Sequence, residues 1–369
     1  MARVFAVGLA LHGLIHLLGV AKGFGLAALP QLTQPISRSM GVVWLAAGLL
    51  FVASAVALAM SSRWWWLIAA CAFVVSMVAI VPSWSDAKAG AAVNVVVLAG
   101  VVFGALASGP GSLLWVYERD VTQRLARTGA PAAILGDADL AHLPVPVQRY
   151  LRTVGVVGQP RVRNFRVLMH GRIRSGRDAA WMPFTAEQHN TVGDAARLFY
   201  MRASMSLVPV QVLHRYADGE ASMRVKAAAL VPVADMSGAA MTQAETVTLL
   251  NDMCIMAPAT LIDSAITWED IDARTARATF TNAGHTIHAD LVFNDAGELV
   301  DFVSDERLKA SADGRTLTPA RWSTPVGGYR QFGPVHLVSR GEGRWHEDGS
   351  DYAYLELEIT GVQYNVERQ

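Results

Sequence analysis

His12 and His16 stand four residues apart in the apolar stretch "LALHGLIHLLGVAKGFG", Leu9–Gly25. On a helix this spacing puts both imidazoles on one face, one turn apart. Such a pair can bind a metal ion, or pass a proton when a carboxylate holds one tautomer. It can also hydrogen-bond across a helix bundle and do no chemistry. Two histidines on one helix are an incomplete metal site, and a bis-histidine haem needs ligands from opposite sides, so no cofactor is named.

Outside this stretch the candidates are fewer. "TAEQHN" puts Glu187 and His189 on one face of a strand and Gln188 on the other. An acid beside a histidine is a candidate acid–base pair, and equally a cross-strand ion pair at the surface. Glu245 lies in a helical pattern, on the side of Thr248 and Asp252 and away from Val247, Leu250 and Cys254. That placement predicts an exposed carboxylate, with catalysis as the alternative. His285 and His288 fall on opposite faces of a strand, which argues against joint ligation. No HExxH, GxSxG, phosphate-loop or dinucleotide fingerprint occurs. Cys71 and Cys254 form no metal-type motif and no disulfide framework.

The elements that position these residues are of two kinds. The chain has 369 residues, 52% hydrophobic and 17% charged, with zero formal net charge. The charge deficit, against about 25% in an ordinary soluble domain, points to a membrane portion. The neutral balance offers nothing to nucleic acid. Four apolar runs, about Val4–Ala21, Met40–Met60, Trp64–Val81 and Ala87–Ala107, each suit a crossing of about 30 Å of hydrocarbon. Trp64–Trp66, Trp84, Trp115 and Tyr117 sit at run ends, as an interfacial belt requires. Four crossings would put both termini on one side, with Arg3, Arg63, Arg119, Arg124 and Arg127 there and Lys22, Arg38 and Lys88 opposite. Positive-inside counting then favours a cytoplasmic C-terminal domain on an inner membrane.

This count also groups the polar residues. The first helix ends, and the fourth begins, on the same side. His16 would lie about 8 Å deep at about 1.5 Å per residue, His12 one turn deeper, and Asn94 about 10 Å deep. The expectation is that His12 and His16 meet Asn94, and that His16 approaches Asp86, with Lys88 close by. Intramembrane ionisable groups face a bundle interior or a wet cavity. Local explanations also exist, since Asp86 suits a helix first turn and Lys88 can snorkel.

Residues 108–135 read as a juxtamembrane helix and linker, and residues 136–369 as a β-rich soluble domain. A short helix with Pro144 and Pro146 near its start comes first. Strand-like runs, roughly of period two, follow at Arg161–Ile173, Phe184–Val192, Arg197–Met205, Val210–Tyr216 and Met223–Leu230, and again at Ala276–Thr281, Thr286–Phe293, Leu299–Lys309, Trp322–Tyr329, Val335–Trp345 and Tyr352–Tyr364. Asp218-Gly219, "NDAG" (Asn294–Gly297), "ADG" (Ala312–Gly314) and "EDG" (Glu347–Gly349) mark turns. One helix, about Ala239–Met256, interrupts the strands. The expected fold is therefore a four-helix membrane bundle plus an α+β domain, a strongly curved antiparallel sheet or half-barrel with inserted helices. Nine methionines from Met169 to Met256 suit either an ordinary core or an adaptable apolar pocket.

The motifs "HGLIHLLGVAKGF", "SDAKAGAAVN", "LPVPVQRYLRTVGVVGQPRVR", "WMPFTAEQ", "VQVLHRYADGEASMRVK", "MTQAETVTLLNDM" and "ITGVQYN" resemble those of a family of uncharacterised bacterial membrane proteins. That family carries no established reaction. The chain departs from its pattern at Ile255–Leu261 and at His189. The strand-rich half is also similar to the lipoprotein-carrier type of half-barrel, in which a curved sheet and helices enclose an apolar ligand. The leading expectation is a membrane-anchored module for an apolar or lipid-like ligand. A membrane enzyme or proton-handling protein built on His12, His16, Asp86 and Asn94 is one alternative, and a tethered scaffold is another.

Overall fold

The structure, a computed structural model, describes residues 2–127, 133–206, 208–311, 316–347 and 350–367. The expected turn at Ala312–Gly314 and most of that at Glu347–Gly349 lie outside the described residues. The chain divides into two units, Met1–Trp115 and Val116–Gln369.

The first unit consists of α1 (Ala2–Ile15), α2 (Leu17–Gly23), α3 (Arg38–Ala59), α4 (Trp65–Ile80) and α5 (Trp84–Ser108). Three helical runs are long and apolar enough to cross a membrane: Ala2–Gly23, Arg38–Ala59 and Trp65–Leu125. The third doubles back at a 3-10 turn, Val81–Ser83, where Pro82 brings no amide donor. Beyond it Gly90 faces Ile80, Asn94 bonds Ser76, and Gly104 lies against Trp65 and Trp66, so α4 and α5 run antiparallel. The four apolar runs of the sequence thus correspond to α1 with α2, α3, α4 and α5. The outward face of α1 is apolar, with Val4, Val7, Leu11 and Leu14 all exposed.

Helices α1 and α3 touch backbone to backbone. A Cβ on Gly13 would stand 2.8 Å from the Gly48 carbonyl oxygen, and one on Gly48 would stand 2.9 Å from that of Gly13. Small residues permit this approach. A Gly13→Leu variant is therefore expected to lose about 1–3 kcal/mol, the usual cost of overpacking. Gly8, which meets nothing within 4 Å, provides the control. Thermal unfolding in detergent should show a lowered midpoint for Gly13→Leu and little change for Gly8→Leu.

Helix α6 (Leu113–Leu125) leads into the second unit, which continues with a 3-10 turn at Asp137–Leu140 and α7 (Val145–Thr153). Tyr117 of α6 stacks on Tyr200 at 5.6 Å, and Arg215 donates to Asp120 at 2.8 Å. Most of the juxtamembrane segment is accordingly part of the sheet unit rather than a free linker. The strands are β1 (Asn164–Ile173), β2 (Met182–Thr191), β3 (Ala196–Met205), β4 (Val208–Ala217), β5 (Glu220–Ala227) and β6 (Val231–Ser237). After helix α8 (Ala239–Met256) come β7 (Ile266–Asp272), β8 (Thr275–Asn282), β9 (His285–Phe293), β10 (Leu299–Ser304), β11 (Leu308–Ala310) and β12 (Leu317–Pro319). The last are β13 (Arg321–Ser323), β14 (Val326–Gly327), β15 (Arg330–Phe332), β16 (Val335–Leu337), β17 (Arg340–Glu347) and β18 (Ser350–Tyr364).

One 14-stranded antiparallel sheet runs β6-β5-β4-β3-β2-β1-β18-β17-β13-β10-β9-β8-β7, with β14 also on β17. Asp218 and Gly219 both have positive φ, which closes the β4–β5 hairpin as the sequence predicts. The sequence did not mark β6 and β7. Both are edge strands, the first carrying Pro232 and the second "WEDID", so neither shows the alternation of a half-buried strand. The single strand expected over Trp322–Tyr329 is broken at Pro325 into β13 and β14.

The sheet wraps around α8. Thr242 accepts from Ala221 N on β5, while Gln243 donates to the Thr286 carbonyl on β9, so opposite halves of the sheet hold one helix. Its C-terminal carbonyls are capped by tyrosines: Tyr150 donates to Cys254 O at 2.7 Å and Tyr364 to Met256 O at 2.6 Å. Carbonyls orphaned at a buried helix end need such partners.

Candidate functional site

Cavity-facing side chains recur at every second residue along β3: Arg197, Phe199, Met201, Ala203 and Met205. That alternation is the strand period, and it turns one face of the sheet inward. Together with β1, β2, β4, β5, β6 and α8 it encloses a cavity of about 740 Å³. The volume lies within the roughly 300–1,000 Å³ of small-molecule sites. Eight of the nine methionines line it, namely Met169, Met182, Met201, Met205, Met223, Met236, Met241 and Met256, whereas Met253 packs in the core. From Arg197 to Met205 the strand spans about 27 Å at about 3.4 Å per residue. Arg197 is buried at one end of that span, and Met205 is exposed at the other.

Buried ionic groups line the inner end. Arg197 donates to Asp252 at 2.6 Å and to Glu245 at 3.0 Å, and Arg307 donates to Glu245 at 3.1 Å. Gln188 donates to Asp252 at 2.7 Å, and His214 Nδ1 lies 3.6 Å from Glu245. Two guanidiniums, from β3 and the segment before β11, thus face two carboxylates of α8, with Gln188 of β2 and His214 of β4 beside them. Glu245 is 1% exposed, which corrects the expectation of an exposed residue. A helix enclosed on all sides has no solvent face, so its polar stripe is matched by charges from the sheet. Burial pushes Glu245 up, but His214, Arg307 and Arg197 outweigh it, and the carboxyl is held well below the usual glutamate range. For Asp252 burial dominates over Arg197, and the group is raised.

Glu187 and His189 meet on the other face of β2. His189 Nε2 lies 3.3 Å from Glu187 Oε1, and Arg166 of β1 donates to the same oxygen at 2.7 Å. The pair is a cross-strand ion network outside the cavity. Burial pushes Glu187 up, yet hydrogen bonds from His189 and Arg166 prevail and bring it from 4.5 down to about 2. A depressed carboxylate stabilises the fold above its unfolded value, and the contribution is lost as pH falls through the folded one. Melting curves of the wild type should therefore drop between pH 4.5 and 2 more steeply than those of Glu187→Gln.

In the helical unit the structure brings His12, His16 and Asn94 together and adds Ser76, which the sequence reading missed. His16 Nδ1 donates to the His12 carbonyl at 2.8 Å, which leaves Nε2 as the acceptor of a neutral ring. Ser76 Oγ lies 2.9 Å from that Nε2 and accepts from Asn94 Nδ2 at 2.9 Å. Asn94 Oδ1 accepts from His12 Nε2 at 3.0 Å. The donors and acceptors therefore close a circuit through α1, α4 and α5. Because the His16 ring takes the His12 carbonyl, the amide of His16 turns to Gly13 O, and α1 ends there. Phe51 and Trp44 of α3 cover the rings at 4.6 and 5.2 Å.

Asp86 does not approach His16. It accepts from Thr33 and from the Gln34 amide, each at 2.7 Å, and pins the loop before α3. Lys88 is exposed. Among the described residues, no group of three His, Cys, Asp or Glu is placed to hold a metal ion.

A curved antiparallel sheet around a buried helix and an apolar cavity defines the class of the second unit. The chain belongs to a family of unknown function, DUF6544, whose model matches residues 133–357. No curated protein matches the chain. Among solved structures it is similar to a putative outer membrane lipoprotein-sorting protein domain from Vibrio parahaemolyticus, at 9% identity over 60% of this chain and 91% of that one, with a TM-score of 0.34. It is similar to a DUF1329 family protein from Desulfovibrio piger, at 11% identity over 60% and 92%, with a TM-score of 0.35. It is also similar to a LolA superfamily protein from Nitrosomonas europaea, at 12% identity over 60% and 95%, with a TM-score of 0.36.

Proposed function

We propose that the protein is a membrane-anchored binding module for an apolar, lipid-like ligand, held by four crossings made of α1 with α2, α3, α4 and α5. The observation that carries this reading is the elongated, methionine-lined cavity inside the sheet. Methionine's unbranched, polarizable side chain adapts to flexible chains that offer no fixed shape. The inner charges are matched two to two, so they do not require a charged guest. The His12–Asn94–Ser76–His16 circuit acts as a lock between helices, and the arginine-rich flanks support a cytoplasmic side for the sheet unit.

Uptake of a fluorescent fatty acid by the full chain in detergent, together with native mass spectrometry for co-purified lipid, tests the proposal. Met201→Trp fills the middle of the cavity and Met205→Trp its exposed end. Each should weaken uptake at least tenfold while leaving the fold intact by circular dichroism. Uptake unaltered by both, or no lipid retained and no probe bound by the wild type, would overturn it.

A further inference from the structure

The cavity's exposed end is bordered by a cluster of cations and aromatic rings. Trp181 lies between Arg172 and Arg174, each 4.6 Å from its ring. Tyr352 is approached by Arg174 at 5.6 Å, Arg177 at 5.1 Å and Lys309 at 5.2 Å. Of these, Arg174, Trp181, Lys309 and Tyr352 line the cavity itself, beside the exposed Ser175 and Ala180. Four cations thus gather where the apolar lining meets solvent.

Their carboxylate partners are fewer. Among the described residues, Glu356 pairs with Arg172, and Glu347 serves both Arg177 and Lys309. Arg174 donates to the carbonyls of Ala353 and Arg177 and has no carboxylate within ion-pair distance among the described residues. Carbonyl bonds hold a guanidinium in place without neutralising it. The inner end differs, since its guanidiniums and carboxylates are matched. The cavity is therefore electrically balanced at depth and cationic at its mouth. A guest with one charged end gains most by placing that end outward, where desolvation costs least and a fixed cation awaits it.

We propose that this mouth is a subsite for an anionic head group, a carboxylate or phosphate, carried by an amphiphile whose tail fills the cavity. Arg174 and Lys309 supply the charge, and Trp181 and Tyr352 flank the junction of head and tail. The proposal rests on the cavity being a lipid site.

The test compares two probes with one tail: oleate, and its neutral analogue oleyl alcohol, each displacing a fluorescent fatty-acid ester from the full chain in a non-ionic detergent. Acetate is the head-only arm. Oleate should bind about tenfold more tightly than oleyl alcohol in low salt, and acetate should not compete. Arg174→Gln should close that gap, and Lys309→Gln should narrow it. Equal affinities of the two probes in the wild type would overturn the head-group subsite and leave the lipid cavity standing. Displacement by acetate as effective as by oleate would show an anion site with no use for the tail. Binding of neither long-chain probe would overturn both readings. Because the wild-type comparison needs no mutant, a variant that misfolds does not decide the outcome.

Discussion

Replacing Glu245 by alanine should destabilise the second unit by about 3–5 kcal/mol, the usual result of removing one partner from a buried ion pair. Glu245 is 1% exposed and accepts from both Arg197 and Arg307. Without it Arg307 loses its carboxylate and Arg197 keeps only Asp252, in a place where water reaches neither guanidinium fully. Glu245→Gln keeps the shape and one acceptor, so its loss should be smaller. The double variant Glu245→Ala/Arg307→Ala removes one charge of each sign and leaves Arg197 with Asp252, so it should be more stable than the sum of the single losses. Chemical denaturation of the four proteins completes that cycle. Additive losses would mean that Glu245 and Arg307 are not coupled. The pH dependence has a fixed sign. Glu245 is held below its ordinary value in the fold, so its contribution is complete above about pH 4.3 and declines as pH falls. The stability gap between wild type and Glu245→Ala should therefore shrink on acidification.

Much of this arrangement was legible in the sequence, and the reason differs from one element to another. The apolar runs of α1, α3, α4 and α5 could be read because each is apolar nearly all round over a length that could cross a membrane. Period two marked β1 to β5, where one face is buried. It failed at β6 and β7 because an edge strand is solvated on its free side and has no need to alternate. The meeting of His12 with Asn94, which His16 joins through Ser76, followed from position along the helices alone. Depth could not supply Ser76, since a serine in an apolar helix is no signal until a neighbour's free acceptor faces it. Nor could it exclude Asp86, whose partners Thr33 and Gln34 lie in a loop without period. Glu245 was misjudged because a polar stripe on a helix has two explanations, water or a charged wall. Only the closure of β2, β3 and β4 around α8 selects the second. The cavity itself is a long-range property, made by residues up to 188 positions apart, Met169 and Leu357 among them.

The second large effect is expected in the helical unit. Asn94 joins two helices of the circuit to its own, accepting from His12 of α1 and donating to Ser76 of α4. Asn94→Leu fits a membrane helix by every compositional measure, yet it strands a donor on His12 Nε2 and empties an acceptor position on Ser76. Interhelical hydrogen bonds in membranes are worth on average about 0.6 and at most about 1.7 kcal/mol each. A buried polar group left without a partner costs about 1–3 kcal/mol. With two bonds lost, the variant should fall by about 2–4 kcal/mol in unfolding by a denaturing detergent. Ser76→Ala should cost less when Asn94 is already leucine than when it is present, because the bond between the two residues is lost only once. Asp86→Ala should change the result little, since its partners lie in an exposed loop. A structural lock and a proton path separate here. If the circuit only fastens helices, replacing His12 and His16 with apolar residues of similar volume restores most of the stability lost in Asn94→Leu, since only Ser76 then remains polar and a serine hydroxyl can bond the carbonyl one turn back in its own helix. If protons must pass, that triple variant is stable but has lost any pH-dependent function. The hydrogen-bond directions favour the first outcome, because every donor in the circuit already points at an acceptor and the circuit closes on His12's own carbonyl.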